Sequence, residues 1–240
     1  MSKNLIEKAT NPLQYDSELI DWSTETGLES PKRKFYYEYL VRYKKKWVQS
    51  DVLDIGCGVG WLLDLISKNG AMWTEGVEPS KRIFTLSKKT YPEIKIHNCD
   101  FESFSTNKTY DIIISVMVFC HMKNLRNVFK KIHDILKPNG ELQIVIPDYK
   151  YFHKNRVGNK AVSFKQLNAG EYFLEKTGSH GTISNIVRKV EVYKKTASSA
   201  NLELIEDIPM NPTKSLMISE PKYREFEKDA ITHLLRFRKI

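Results

Sequence analysis

The chain has 240 residues, 41% hydrophobic and 28% charged, which is ordinary for a globular protein with ample length to bury one full core. Its formal net charge is +9, but the lysines are dispersed beside apolar residues at helical spacing, so charge alone does not choose between nucleic acid and a small anionic partner. The first residues lack an apolar leader, no run approaches the ~18 apolar residues of a membrane span, and Cys57, Cys99 and Cys120 form no C-x-x-C pair. Together these favour a cytoplasmic protein with reduced thiols, no metal site and no membrane partner.

Residues 1–29 are polar with Tyr15, Leu19-Ile20 and Trp22 as scattered anchors. Ser30-Pro31 then opens a helix whose apolar residues recur from Phe35 to Trp47. Val52-Leu53-Asp54-Ile55 reads as a buried strand, and it runs into Gly56-Cys57-Gly58-Val59-Gly60. A helix from Trp61 to Asn69 is closed by Gly70, a strand from Met72 to Val77 carries Glu78-Pro79-Ser80 at its end, and a helix covers Lys81 to Lys89. Ile94 to His97 and Tyr110 to Val118 are further strands, the second nearly continuous in apolar residues, as in parallel sheets buried on both faces. Leu125 to Leu136 is an amphipathic helix, Lys137-Pro138-Asn139-Gly140 a turn, and Glu141 to Ile146 a fifth strand. Residues 148–186 are aromatic and polar without a clear period; a segment that long suggests a functional loop. Val187 to Ala200 reads as a helix, Leu202 to Ile208 and Ser215 to Ser219 as strands, and Tyr223 to Phe237 as a terminal amphipathic helix. Strands alternating with helices predict an α/β fold with a doubly wound, mostly parallel sheet.

The ligand chemistry lies at the strand ends, where such sheets bind nucleotides. Glycine at every second position after Asp54 lets a ligand lie directly on the backbone. The spacing is not the dinucleotide pattern G-x-G-x-x-G: the third glycine comes one residue early and Trp61 stands where that pattern has glycine. Glu78 lies 18 residues after Gly60, placed to accept two hydrogen bonds from a ribose diol. Asp54-Ile55-Gly56-Cys57-Gly58-Val59-Gly60, Gly76-Val77-Glu78-Pro79 and Asn98-Cys99-Asp100-Phe101 together resemble the class I S-adenosylmethionine-dependent methyltransferases of the small-molecule type. The resemblance covers residues 47 to about 220. It implies a seven-stranded sheet with an antiparallel final strand and S-adenosylmethionine as cofactor, leaving S-adenosylhomocysteine as product. It also implies a cofactor site made of Tyr15, Asp54, Gly56, Cys57, Gly58, Glu78, Pro79, Asp100, Phe101, Ser115 and Val116. In the family Asp100 receives the adenine amino group and Phe101 covers the ring, and a tyrosine placed like Tyr15 folds over the cofactor.

Methyl transfer from a sulfonium needs positioning above all, and a general base only where the acceptor must lose a proton. His121, just after the fourth strand, is the candidate for that base, with a backbone-bonded structural role as its alternative. Tyr172 and His180 are candidate substrate residues. The N-P-P-Y type tetrad and the catalytic cysteine context of nucleobase methyltransferases are both absent, which favours a small-molecule acceptor. An RNA or protein methyltransferase, supported only by net charge, stays open, as does a non-catalytic cofactor-binding partner subunit. The expected layout is a single domain: an N-terminal lid over 1–46, a cofactor-binding half over 47–147, a substrate-side insertion over 148–186, and the remainder of the sheet over 187–240.

Overall fold

In the computed structural model the apolar runs of the first half form strands β1 (Asp51–Ile55), β2 (Trp73–Val77), β3 (Lys95–His97), β4 (Tyr110–Val116) and β5 (Leu136–Pro147). The structure describes residues 2–16, 30–154, 162–178 and 181–240. Helix α1 (Ser2–Ala9) precedes α2 (Pro31–Leu40), which has proline at its first turn, as its sequence predicts. Helices α3 (Trp61–Lys68), α4 (Lys81–Thr90) and α5 (Leu125–Ile135) connect the strands. The Ser80 and Asn124 side chains cap α4 and α5 by accepting from the Ile83 and Asn127 amides.

After α6 (Tyr149–Lys154) come β6 (Val162–Asn168), β7 (Glu171–Gly178) and β8 (Gly181–Arg188), then α7 (Val190–Ser198), β9 (Leu202–Met210), α8 (Lys214–Ser219) and β10 (Thr232–Lys239). The main sheet has the order β3-β2-β1-β4-β5-β10-β9. Pairing is parallel throughout except at β10, which runs antiparallel to both of its neighbours. The seven-stranded, doubly wound sheet with an antiparallel last strand is therefore present. One face packs on α5 and α7 through Phe129, Ile132 and Tyr193, and the other on α2, α3 and α8 through Phe35, Ile66 and Leu216.

Three expectations fail. Ser215 to Ser219 is not a strand but belongs to α8, which starts at Thr213, whose hydroxyl accepts from the Leu216 amide. The last strand lies instead within the stretch read as a terminal helix: Pro221–Phe226 is a 3₁₀ turn and Thr232–Lys239 is β10. Because β10 is buried on both faces, its apolar residues show no alternation. Leu235 and Phe237 enter one core, Leu234 enters the other, and Arg236 is buried beside Glu141 (2.7 Å) and Glu206. Burying Leu234, Leu235 and Phe237 contributes roughly 1.5–3 kcal/mol each, enough to offset the desolvation of a paired arginine.

Within 148–186 the described residues are also regular rather than irregular. Strands β6, β7 and β8 form a separate antiparallel sheet, and Val187 and Arg188, read as helical, close β8. The turn signals were local ones, Asn168-Ala169-Gly170 and the glycines Gly178 and Gly181. Tyr172, Leu174 and Val187 bury one face of this sheet under Tyr149 and Phe152, while Phe173 and Ile186 bury the other under α1 at Ala9. Trp22 and His180 lie outside the described residues.

Candidate active site

A cavity of about 440 Å³ opens at the carboxyl ends of β1, β2 and β4, around the point where the crossovers leave the sheet in opposite directions. Its floor is the turn after β1. Gly56 (φ 71°) donates its amide to the Val77 carbonyl at 2.8 Å, and a side chain there would strike Val118. Gly58 (φ 59°) differs: a Cβ would meet nothing within 4 Å, so the space above it belongs to the cavity. Its amide donates to Glu78 Oε2 at 3.0 Å, and the Ser80 amide donates to Glu78 Oε1 at 2.9 Å. Burial lifts the Glu78 carboxyl to about 7 against these two hydrogen bonds, with Asp16 adding to the rise.

Asp54 is 3% exposed and lines the cavity, yet its carboxylate has no hydrogen-bond or ion-pair partner among the described residues. Burial and the nearby Glu78 raise it well above the usual carboxylate range. Cys57, Pro79 and Val116 line the cavity as well. Asp100 is exposed at its edge, with Oδ1 accepting from the Ser103 amide at 2.6 Å, and Phe101 is buried behind it against Phe104. Ser115 is not in the cavity. It points through the sheet, donating its hydroxyl to the Ile55 carbonyl at 2.9 Å, because a single step along a strand reverses the side-chain face.

The N-terminal segment forms the opposite wall. Tyr15 and His121 meet at 2.6 Å between the hydroxyl and Nε2, and both line the cavity. His121 Nδ1 lies 2.9 Å from the Ala9 carbonyl, an acceptor, so Nδ1 carries the proton and Nε2 accepts from the Tyr15 hydroxyl. Burial takes His121 down to about 4, partly opposed by the Ala9 carbonyl and reinforced by Arg188, which donates to the Phe119 and Met122 carbonyls on either side. Gln14 Oε1 accepts from the Ser184 amide on the edge strand β8, and Asp16 Oδ1 accepts from the Ser80 hydroxyl. Residues 14–16 thus join the small sheet, the β4 loop and the start of α4.

Other lining residues carry no glycine or acid motif. Arg33, Tyr36 and Tyr37 come from the face of α2 opposite Phe35 and Tyr39; Arg33 stacks on Trp61 at 3.7 Å, and burial lowers it to about 10 against the influence of Tyr37. Lys176, Ile183 and Asn185 come from the β7–β8 hairpin. Tyr172 shares their face of that hairpin but lies deeper: it is 1% exposed, donates its hydroxyl to the Tyr149 carbonyl at 3.0 Å, and does not reach the cavity. Among the described residues no group of three or more His, Cys, Asp or Glu could hold a metal ion, and no helix is long and apolar enough to cross a membrane.

The profile of the methyltransferase domain family matches residues 14–182. The chain belongs to the class I S-adenosylmethionine-dependent methyltransferases. It is 26% identical over 158 residues to a malonyl-[acyl-carrier protein] O-methyltransferase of Halalkalibacterium halodurans, covering 61% of this chain and 58% of that protein. It is 29% identical over 133 residues to a ubiquinone biosynthesis O-methyltransferase of Coxiella burnetii, covering 51% and 55%. The chain therefore spans a little over half the length of those curated relatives. A Listeria monocytogenes protein assigned to the S-adenosylmethionine-dependent methyltransferases has the same fold, with a TM-score of 0.73 at 18% identity over 87% of this chain and 98% of that one. The family's cofactor is S-adenosylmethionine, and the open space over Gly58, the paired Glu78 and the buried Asp54, without a partner among the described residues, fit it.

Proposed function

We propose that this chain transfers the methyl group of S-adenosylmethionine to a small-molecule acceptor at an oxygen atom. The observation that carries the small-molecule reading is the second wall of the cavity. Residues 10–15, α2 and the β7–β8 hairpin face the strand-end loops across a space of about 440 Å³, within the usual range for small ligands. Both curated relatives are named as O-methyltransferases, which supports an oxygen acceptor.

The chain's own residues divide the work. Glu78 holds the ribose diol, with its carboxylate fixed by the Gly58 and Ser80 amides. Asp100 and Phe101 take the adenine end. Asp54 offers a buried negative charge to an ammonium, while Arg33 offers the complementary positive charge to a carboxylate; Tyr37, whose hydroxyl is raised by burial and by Asp54 and lowered by Arg33, lies close to both. Bound S-adenosylmethionine supplies an electrophilic methyl group with a neutral thioether as leaving group. Tyr15, seated on His121, closes the side of the cavity next to Gln14 and excludes water.

Calorimetric titration with S-adenosylhomocysteine tests the cofactor assignment. Binding is expected for the parent chain, with a loss of roughly 1.5–3 kcal/mol in Glu78→Ala and no response to NAD. Unchanged affinity in Glu78→Ala places the ribose elsewhere. Salt-sensitive RNA binding, together with methylation of RNA but of no small molecule, overturns the enclosed-acceptor reading.

A further inference from the structure

Resting on the methyltransferase reading above, we infer that Arg188 is a positioning residue for methyl transfer. It sets the turn that carries His121, and through His121 the wall that Tyr15 forms over the cofactor. Arg188 ends β8 and is 3% exposed, on the face of the small sheet where Phe173 and Ile186 bury α1. Its cross-strand partner is Glu171, whose Oε1 accepts from Arg188 Nε at 2.8 Å. Glu171 Oε2 accepts in turn from Asn168 Nδ2 at 2.7 Å. One row of hydrogen bonds thus crosses β6, β7 and β8 and fixes the plane of the guanidinium.

The other edge of that guanidinium leaves the small sheet. Nη1 donates to the Phe119 carbonyl at 3.0 Å and Nη2 to the Met122 carbonyl at 2.9 Å. Phe119–His121 is a single 3₁₀ turn capped by Met122, so the two carbonyls bracket His121, and both His121 and Met122 line the cavity. A buried arginine costs desolvation, and apolar side chains would join the same two surfaces at least as well. What the guanidinium adds is direction, because its planar fork holds two acceptors in one fixed arrangement. Ser184, four residues earlier on β8, donates its amide to Gln14, next to Tyr15. The strand that carries Arg188 therefore also holds the segment bearing Tyr15. His121 and Tyr15 are both referred to one rigid element, and their 2.6 Å contact depends on it.

The test is a double-mutant cycle on the full chain, read by calorimetric titration with S-adenosylhomocysteine and by NMR of the His121 ring nitrogens. Lysine keeps the charge but not the fork, so Arg188→Lys should weaken S-adenosylhomocysteine binding about tenfold, by lowering the fraction of chains in the closed form. In a Tyr15→Phe background the same change should cost less than about twofold, since the route through the hydroxyl is already gone. The His121 ring shifts of Arg188→Lys should move towards those of Tyr15→Phe, while the amides of β1 and β4 keep the parent's protection. Glu171→Gln keeps the guanidinium and loses the charge that orients it. It should move both readouts the same way, by about threefold in affinity, and it carries the cycle where Arg188→Lys does not fold. Parent affinity and parent ring shifts in Arg188→Lys overturn the proposal, as does an equal loss in both Tyr15 backgrounds. Loss of β1 and β4 protection in Arg188→Lys and Glu171→Gln alike makes the pair a determinant of the fold and overturns it too. A parent chain that does not bind S-adenosylhomocysteine, with ring shifts moving as expected, overturns the methyltransferase reading and leaves the positioning of His121 standing.

Discussion

The Tyr15 hydroxyl donates to His121 Nε2 across 2.6 Å, with the two rings edge to face at 87°. The contact joins residues 106 positions apart and fixes the N-terminal segment over the loop that follows β4. His121 answers by donating from Nδ1 to the Ala9 carbonyl, so one imidazole holds both ends of the turn at residues 9–15. We propose that His121 positions this segment rather than transferring a proton.

Tyr15→Phe keeps the ring and removes the donor, leaving a buried imidazole nitrogen unsatisfied at a cost of about 1–3 kcal/mol. Since the bond ties down one segment, the cost should appear as local opening. Amide exchange over residues 13–16 is expected to accelerate about tenfold or more, while β1 and β4 keep their protection. Equal protection of residues 13–16 in parent and variant would show that this bond does not hold the segment.

Gly56→Ala and Gly58→Ala should fail in different ways. At Gly56 the new methyl would lie 2.4 Å from Val118 Cγ2, so the fold itself is strained and thermal stability should drop by several degrees. At Gly58 the methyl enters open space, and only the left-handed backbone costs, roughly 1–2 kcal/mol or a few degrees. Gly58→Ala should nevertheless lose S-adenosylhomocysteine binding, because the space it fills is the ligand's. Thermal unfolding with and without ligand separates the two. A Gly58→Ala protein that keeps its ligand-induced stabilisation contradicts the assignment.

The part of the site that could be read from sequence is the part built from local chemistry. The apolar run before Asp54, the glycines after it and the acids at Glu78 and Asp100 each lie within one turn of a strand end, so position along the chain implied position in space. Ser115 shows the limit of that argument: Val116 faces the cavity and Ser115, one residue away, bonds through the sheet to Ile55. The alternation was legible but its phase was not. Tyr172 failed by depth, since it shares a face with Lys176 yet sits at the buried end of the hairpin. Strand β10 was hidden because its arginine is neutralised by Glu141, 95 residues away, a pairing no local window contains.

Two histidines should impose opposite pH signatures on stability. His121 stays unprotonated in the fold down to about 4, while the unfolded chain protonates near the ordinary value of 6.5. Its contribution is full above 6.5 and is lost as pH falls towards 4. For His233, burial is outweighed by hydrogen bonds to Asp148 (3.1 Å) and Asp207 (2.9 Å), which raise it above 6.5. Its contribution is full below 6.5 and is lost as pH rises through the raised folded value. Urea midpoints across pH 4–9 (about that span) should therefore lose their acid-side slope in His121→Phe and their neutral-to-alkaline slope in His233→Gln. Identical slopes in parent and variant would show that the histidine concerned does not titrate differently on folding.

Glu78 predicts a pH-dependent cofactor affinity. In the free protein its carboxyl titrates at about 7, and the ribose diol needs the ionised form as acceptor. Binding then releases a proton below neutrality, and S-adenosylhomocysteine affinity should rise about tenfold between pH 6 and 8 and level off beyond. Calorimetry in buffers of different ionisation enthalpy measures the proton release directly. Glu78→Gln should bind more weakly and lose the part of the pH dependence centred near 7, leaving only that of the buried Asp54; a variant with the parent's profile would move the titrating group elsewhere.

Asp54 sets stability against binding. Its carboxylate is buried without a partner among the described residues and is raised well above the usual range by burial and by Glu78, so its ionised form destabilises the free protein at neutral pH. Asp54→Asn removes the charge at nearly constant shape and should stabilise the free chain by about 1–3 kcal/mol, or a few degrees in Tm. The gain should shrink as pH falls towards the unfolded-state value near 4, where the parent carboxyl is protonated in both states. The same change deprives an incoming ammonium of its counter-charge, and S-adenosylhomocysteine affinity should fall roughly tenfold or more. Thermal unfolding with and without ligand reads both effects in one experiment: the variant melts higher alone and gains less from saturating ligand than the parent does. A variant less stable than the parent in the free state would mean that Asp54 has a structural partner, and the charge would then not be held in reserve for the cofactor.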